Sequence, residues 1–110
     1  MKMSFKEELI LLIKNRGFSE EQVDDLILKY INLGINRNEM YKAIWDIFQD
    51  YYEILTKEQS YFEERFDYLG DIMTALTGDT SKSCILKFKG DPDNVEELAK
   101  IVREKKWMNP

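Results

Sequence analysis

The sequence predicts an all-α protein: a single-domain bundle of about five helices with a short extended segment near residues 84–89. Four long segments repeat apolar residues with helical spacing. Two segments begin with Ser or Thr followed three residues later by Gln, the pattern of a capping box. A chain of 110 residues has apolar content for one core and little room for a second. We therefore expect one domain over residues 1–110.

The first two helices are predicted to fold back on each other. The first covers about residues 4–15, and Gly17 ends it. Ser19, with Gln22 three residues later, begins the second helix, which Gly34 ends. The connection between them is so short that an antiparallel hairpin follows.

The third and fourth helices are predicted to be the longest. Asn36 or Asn38 caps the third, and Thr56, followed three residues later by Gln, separates it from the fourth. Gly78 closes the fourth helix, while Gly70 inside it indicates close packing or a local bend. The inner faces are Met40, Ile44, Ile47, Phe48, Tyr51 and Leu55 on the third helix, and Phe62, Phe66, Leu69, Met73 and Leu76 on the fourth.

The last third of the chain is predicted to contain the extended segment and one more helix. Residues 84–89 alternate in polarity and have no obvious strand to pair with. Asp91 as the cap and Pro92 at the first position begin a helix that runs to about Lys105. Trp107 is expected to fold back onto the body. The inward positions of this helix are Val95, Leu98, Ala99 and Val102.

Negative charge is concentrated in the middle of the chain. The formal net charge is −5, and residues 36–79 contain ten acidic and four basic side chains. This distribution argues against direct binding of nucleic acid, whose phosphates require a basic surface. It suits mimicry of nucleic acid or capture of a basic protein.

The absence of histidine removes most catalytic and metal-binding arrangements, because histidine is the commonest proton shuttle and transition-metal ligand. Glu64, Asp67 and Asp71 are spaced so that a divalent ion could bridge two of them. They avoid the apolar face, however, whereas bundle metal sites direct their carboxylates into the core. We therefore predict no enzyme activity, no metal and no cofactor.

The single cysteine, Cys84, cannot form an internal disulfide, and we expect a buried structural thiol. Glu7 and Glu8 interrupt the start of the chain, which does not read as a signal peptide. No apolar run approaches the roughly 20 residues that cross a bilayer. The sequence thus predicts a cytoplasmic protein that does not bind membranes.

Acidic residues recur one turn apart on the third and fourth helices. Like charges at this spacing destabilise a helix by roughly 0.2–0.5 kcal/mol per pair, and Lys or Arg at the same places would stabilise it. The stripe of the third helix is Asp46, Asp50 and Glu53, and that of the fourth is Glu63, Asp67 and Asp71. Each is either an ordinary solvated face or a surface for a basic partner. The predicted partner-binding residues are Asp46, Asp50, Glu53, Tyr61, Glu63, Glu64, Asp67, Tyr68 and Asp71.

Aromatic side chains accompany these acids. Tyr61 and Tyr68 flank the stripe of the fourth helix, and Tyr41, Trp45 and Tyr52 border that of the third. Tyr and Trp are enriched in interface hot spots because they bury a large area and keep a polar tip. For Trp45 and Tyr52 we expect the simpler role of widening the buried face.

The chain resembles bacterial immunity proteins that neutralise toxins, of the contact-dependent growth inhibition and colicin types. The likeness lies in the small, acidic, helical chain with its acid-and-tyrosine face, and in the stretch from Asp71 to Gly78 leading to Ser83 and Cys84. The resemblance implies that an acidic face covers a basic toxin, in the first instance a nuclease. The alternative is a small helical adaptor or regulator that binds a host protein through the groove between the third and fourth helices.

Overall fold

The structure is a computed structural model that describes residues 2–108. Within this range it contains five α-helices, two short 3-10 helices and no strand. The predicted all-α bundle is therefore confirmed. The helices are α1 (Phe5–Lys14), α2 (Glu20–Leu33), α3 (Arg37–Glu58), α4 (Phe62–Thr77) and α5 (Val95–Glu104), and the 3-10 helices are Lys82–Cys84 and Lys106–Met108.

One core holds the first four helices together. Helix α1 packs against α2 and α3, and α3 packs against α4. A second, smaller cluster fixes α5 to the preceding segment. The main cluster contains Phe5, Leu9, Ile13, Val23, Leu26, Ile27, Ile31, Met40, Ile44, Ile47, Leu55, Phe62, Phe66, Leu69, Ile72, Leu76 and Phe88, and the smaller one contains Ile85, Leu98, Ala99 and Val102. Each such aliphatic or aromatic side chain contributes roughly 1.5–3 kcal/mol when fully buried.

Local capping chemistry sets most helix ends. Ser4 and Asn36 each form a capping box with the Glu three residues later, so Asn36 rather than Asn38 caps α3. The Ser19 hydroxyl accepts a hydrogen bond from the Gln22 amide and begins α2. Gly34 and Gly78 take the left-handed conformation, with φ of +100° and +83°, and end α2 and α4 as predicted.

The predicted capping box at Thr56 is wrong. Its hydroxyl donates to the Tyr52 carbonyl at 2.6 Å, one turn back within the same helix. Threonine readily bonds the i−4 carbonyl in this way, and neither Gly nor Pro follows to stop the helix. Helix α3 therefore continues to Glu58. Helix α4 begins after Tyr61, which provides no side-chain cap.

The predicted start of the last helix is also wrong. Helix α5 begins at Val95 and is capped by Asn94, whose side chain accepts from the Glu97 amide at 3.0 Å. Asp91 instead accepts a hydrogen bond from the Phe88 amide at 2.8 Å, which turns the chain between residues 88 and 91. Val95 lies at the exposed start of α5 and is 48% exposed, whereas the other three predicted inward residues are buried.

Arg37 joins three distant segments and has no counterpart among the sequence predictions. It is the first residue of α3, yet it is only 6% exposed. Its guanidinium donates to the carbonyl oxygens of Leu76, at the end of α4, and Leu86, in the extended segment. Burial lowers the pKa of Arg37. The C-terminal end of α4 and the segment after it are thus fixed to the beginning of α3.

Three smaller expectations have mixed outcomes. Trp107 folds back as predicted: its indole nitrogen donates to the Val102 carbonyl at 2.9 Å, and its ring meets Tyr41 edge-on. Cys84 is exposed rather than buried, because it ends a short 3-10 turn outside both core clusters. Gly70 is not closely packed, since a Cβ at this position would have no neighbouring atom of residues 2–108 within 4 Å outside its own stretch of helix.

Candidate functional site

The outer face of α4 carries only negative charge. The helix has four acidic residues and one basic residue, Arg65. Arg65 turns away from the acids and donates to the carbonyl oxygens of Ile13 and Asn15 at the end of α1. The rings of Phe18, Tyr61 and Phe62 surround its guanidinium, and the first of them lies 4.9 Å away. The cation that could have neutralised the acidic face is therefore used to fix α4 to α1.

A groove runs between α3 and α4 along this acidic face. It encloses about 450 Å³, and we call it the α3–α4 groove. Its aromatic wall is ordered, because the ring centroid of Phe66 lies 5.3 Å from those of Phe48 and Tyr52. Its lining residues are Phe48, Tyr52, Phe66, Asp67, Gly70, Asp71 and Thr74.

The two carboxylates of the α3–α4 groove have no cation beside them. Asp67 and Asp71 are exposed, and neither makes an ion pair with any residue in the range 2–108. Tyr52 lies across from them and is 42% exposed, and Trp45 on the same helix is 48% exposed. The expectation that both residues widen the buried face is therefore wrong for Trp45. It holds in part for Tyr52, whose ring packs edge-on against the buried ring of Phe66.

The acids of α3 lie elsewhere. Lys6 of α1 approaches Asp50 at 3.2 Å and Asp46 at 4.0 Å, so this stripe is partly neutralised within the chain. At about 100° per residue, Asp46 and Asp50 are about 120° and 160° around α3 from Tyr52. Glu53 is exposed beside them. The structure therefore does not bring the two predicted stripes together.

The remaining predicted site residues have separate positions. Glu63 and Glu64 lie in the first turn of α4, where negative charge interacts favourably with the helix dipole. Since α4 has no side-chain cap, these two carboxylates have a structural role at the start of the helix. Tyr61 is 48% exposed, and its ring packs against Phe62 at the far end of the helix. Tyr68 is half-buried on the opposite flank of α4, toward α2.

Of the predicted partner-binding residues, Asp67 and Asp71 line the α3–α4 groove, together with residues that the sequence predictions did not assign to the site. Tyr52 forms the opposite wall, and Gly70 leaves the floor of the groove open. The sequence signal for the groove was glycine within the helix, three residues after one acid and one before the next. Because glycine has no side chain, it lets another molecule approach the helix backbone closely.

The chemistry that this arrangement offers is recognition of cations. Two carboxylates accept hydrogen bonds from Lys or Arg, and exposed aromatic rings attract the same cations through their faces. In the described part of the chain, no group of three or more His, Cys, Asp or Glu residues is placed to hold a metal ion. The Cys84 thiol is separate from the groove, and a hydrogen bond from the Ser81 hydroxyl lowers its pKa.

Comparison with known proteins adds no relative. No protein-family model matches the chain, and neither a curated protein nor a solved structure shows significant similarity to it. None of the helices within residues 2–108 combines the length and hydropathy needed to cross a membrane.

Proposed function

We propose that this protein binds and neutralises a basic bacterial toxin, in the first instance a nuclease, with the α3–α4 groove as its contact surface. The observation that carries the proposal is the pair of exposed, unneutralised carboxylates, Asp67 and Asp71, beside an ordered aromatic wall. Such a surface suits the task of an immunity protein, the class that the chain resembles in sequence character.

Charge complementarity supports a basic partner. Nucleases present Lys and Arg where they bind phosphate, and an acidic inhibitor can occupy the same surface. The free chain tolerates repulsion between Asp67 and Asp71, which are one turn apart on α4. A partner cation placed between them relieves this repulsion. Close charge pairs of this kind contribute roughly 1.5–7 kcal/mol in a complex between an acidic inhibitor and a basic nuclease.

The aromatic wall supports a tight complex. Tyr52 exposes much of its ring next to Phe48 and Phe66, which hold it in place. A rigid tyrosine adds contact area at little cost in side-chain entropy. An acidic surface alone mainly raises the association rate. The Tyr52 ring adds a contact that slows dissociation of the complex.

The proposed function predicts a toxin gene directly upstream of the gene for this chain, and the experiment uses the C-terminal domain of that toxin as the partner. Affinity and toxin inhibition are measured for the wild type and for the double variant Asp67→Lys and Asp71→Lys. The matched control is Asp25→Lys and Glu58→Lys, which makes the same change to the net charge of −5 at exposed acids outside the groove. We expect at least a hundredfold loss of affinity for the first variant, from two charge pairs, and much less for the control.

Two results would overturn the proposal. If the wild type neither binds nor inhibits the upstream domain, the toxin hypothesis fails. If both double variants lose affinity equally, only the overall charge matters, and the acids of α4 are a solvated face. Binding without inhibition of toxin activity would instead support the adaptor alternative.

A further inference from the structure

We propose that the partner contacts both sides of α4 and inserts an aliphatic side chain into a second groove, between α2 and α4. This inference rests on the proposed function, because it assigns the same partner a second contact. The α2–α4 groove encloses about 370 Å³ and is lined by Asp24, Ile27, Leu28, Tyr68, Asp71, Ile72, Ala75 and Leu86.

The α2–α4 groove is apolar at its floor and acidic at its rim. Ile27 and Ile72 are almost completely buried beneath it, at 2% and 6% exposure. Leu28 stands at its edge and is 55% exposed. Asp24 and Asp71 supply negative charge at the rim. An apolar floor beneath an acidic rim fits an aliphatic side chain next to a cation.

A hydrogen bond between its walls holds the α2–α4 groove in shape. The Tyr68 hydroxyl of α4 donates to the Asp24 carboxylate of α2. Burial, reinforced by this carboxylate, raises the pKa of Tyr68, so the hydroxyl keeps its proton over a wider range of alkaline pH than a free tyrosine. The groove is therefore formed before a partner arrives, which lowers the entropy cost of binding.

A single partner can contact both grooves, because Asp71 lines the α3–α4 groove as well as the α2–α4 groove. A helix with its side chains is roughly 10–12 Å across. A partner that spans α4 therefore needs its cation and its aliphatic side chain about 10 Å apart. Residues seven apart on a helix satisfy this distance, since each residue rises about 1.5 Å.

Three alanine-rich helical peptides test the inference on the intact chain by NMR titration. The first has two arginines one turn apart and a leucine seven residues beyond them. In the second, glutamine replaces the leucine; in the third, glutamine replaces both arginines. We expect the first peptide to bind about tenfold more tightly than the second, as one buried aliphatic side chain allows. The third should not bind, and the shifted amides should include both sides of α4.

Variants of exposed leucines separate this inference from the proposed function. Leu28→Gln should remove the tenfold advantage of the leucine peptide and leave the arginine-only peptide unaffected. Leu33→Gln is the matched control, because Leu33 lies on the same helix, is 70% exposed and does not line the groove. Asp67→Lys with Asp71→Lys should weaken both arginine peptides.

The outcomes are distinct. Equal affinities for the two arginine peptides, both sensitive to the Asp67 and Asp71 changes, would overturn the second contact and keep the proposed function. Arginine peptides that bind with no response to those changes would overturn both. Arginine peptides that do not bind, while the wild-type chain still binds the toxin domain, would overturn only the second contact. A self-association of the free chain that Leu28→Gln abolishes and Leu33→Gln keeps would assign the α2–α4 groove to a second copy, which also overturns this inference.

Discussion

The Arg37 guanidinium lies against the Asp91 carboxylate, with 2.9 Å between Nη2 and Oδ2. The two residues are 54 positions apart, and the pair joins the start of α3 to the turn before α5. The ring of Phe88 lies 4.7 Å from the guanidinium and that of Trp107 lies 5.7 Å from it. A buried charge with a carboxylate, carbonyl acceptors and two aromatic faces is a specific junction, and it depends on every partner being present.

We predict that Arg37→Met lowers the free energy of unfolding by about 3–5 kcal/mol, because it leaves the Asp91 carboxylate and two carbonyl oxygens without their donor. Arg37→Lys should also be destabilising, because an ammonium cannot reproduce the planar fork. Urea denaturation measures both changes. The control is Arg16→Met at an exposed arginine, with an expected change within about 0.5 kcal/mol. Equal effects at Arg37 and Arg16 would show that the junction contributes nothing.

The parts of the fold that the sequence predicted correctly depend on neighbouring residues. Asn36 caps α3 because its side-chain oxygen accepts a hydrogen bond from the Glu39 amide, only three residues later. Gly34 and Gly78 need only their own backbone conformations. Thr56 misled the prediction because its hydroxyl has two local uses, capping and bonding one turn back, and the surrounding packing chose the second. Asp91 misled it because the competing partner, Arg37, is far away in the sequence.

For the candidate site too, the sequence predicted what depends on neighbouring residues and missed what depends on distant ones. The spacing of Asp67 and Asp71 places them on one face of α4 whatever surrounds that helix. The partial neutralisation of the α3 acids depends on Lys6, which is 44 residues before Asp50. The hydrogen bond from the Tyr68 hydroxyl to the Asp24 carboxylate also joins residues 44 positions apart. No pattern within one helix reveals which of its acids a distant helix neutralises.

Gly70→Ala should separate folding from binding. A Cβ at this position has free space, so the change should raise the free energy of unfolding by up to about 1 kcal/mol through the lower helix propensity of glycine. The added methyl occupies the floor of the α3–α4 groove and should weaken partner binding. Thermal denaturation and partner affinity on the same variant measure the two effects.

Gly78→Ala is the contrasting glycine change. Its φ of +83° is unfavourable for alanine, and a Cβ there would lie 2.8 Å from the Arg103 side chain, so it should destabilise the fold. It lies outside the α3–α4 groove and should leave affinity unchanged in the folded fraction. Unaltered binding by the Gly70 variant would show that no partner reaches the floor of the groove.

Stability should depend on pH through Tyr30. Its hydrogen bond to the Glu8 carboxylate raises the pKa of Tyr30 to about 12 from 10.0. The folded state therefore holds this proton more tightly, and the contribution is present below about pH 10 and is lost as the pH rises toward 12. The same bond lowers the pKa of Glu8 below 4.5, so its contribution is lost at the acidic end.

Tyr30→Phe is the variant that tests this dependence. The difference in unfolding free energy between wild type and Tyr30→Phe should be greatest near neutral pH and should shrink above pH 10 and below pH 4.5. Urea denaturation across the pH range gives the difference directly. A difference that is constant with pH would mean that Tyr30 acts through packing alone, since its ring also contacts Phe5 edge-on at 5.3 Å.

The isolated chain should gain stability from Asp67→Lys. A lysine at this position lies one turn from both Glu63 and Asp71, so two repulsive contacts become attractive. Each like pair costs, and each opposite pair contributes, roughly 0.2–0.5 kcal/mol, so reversing two pairs gains roughly 0.8–2 kcal/mol. For a domain of this size each kcal/mol gained raises the melting temperature by roughly 4–8 °C.

Asp67→Asn resolves the origin of this gain, because it removes the repulsion and adds no attraction, and about half of the increase should remain. Salt should reduce the difference between Asp67→Lys and the wild type, since the charges are exposed and screening acts over about 8 Å at physiological ionic strength. A wild-type chain that is more stable than Asp67→Lys at low salt would mean that the acids of α4 are stabilised by contacts within the fold, and they would then have no repulsion for a basic partner to relieve.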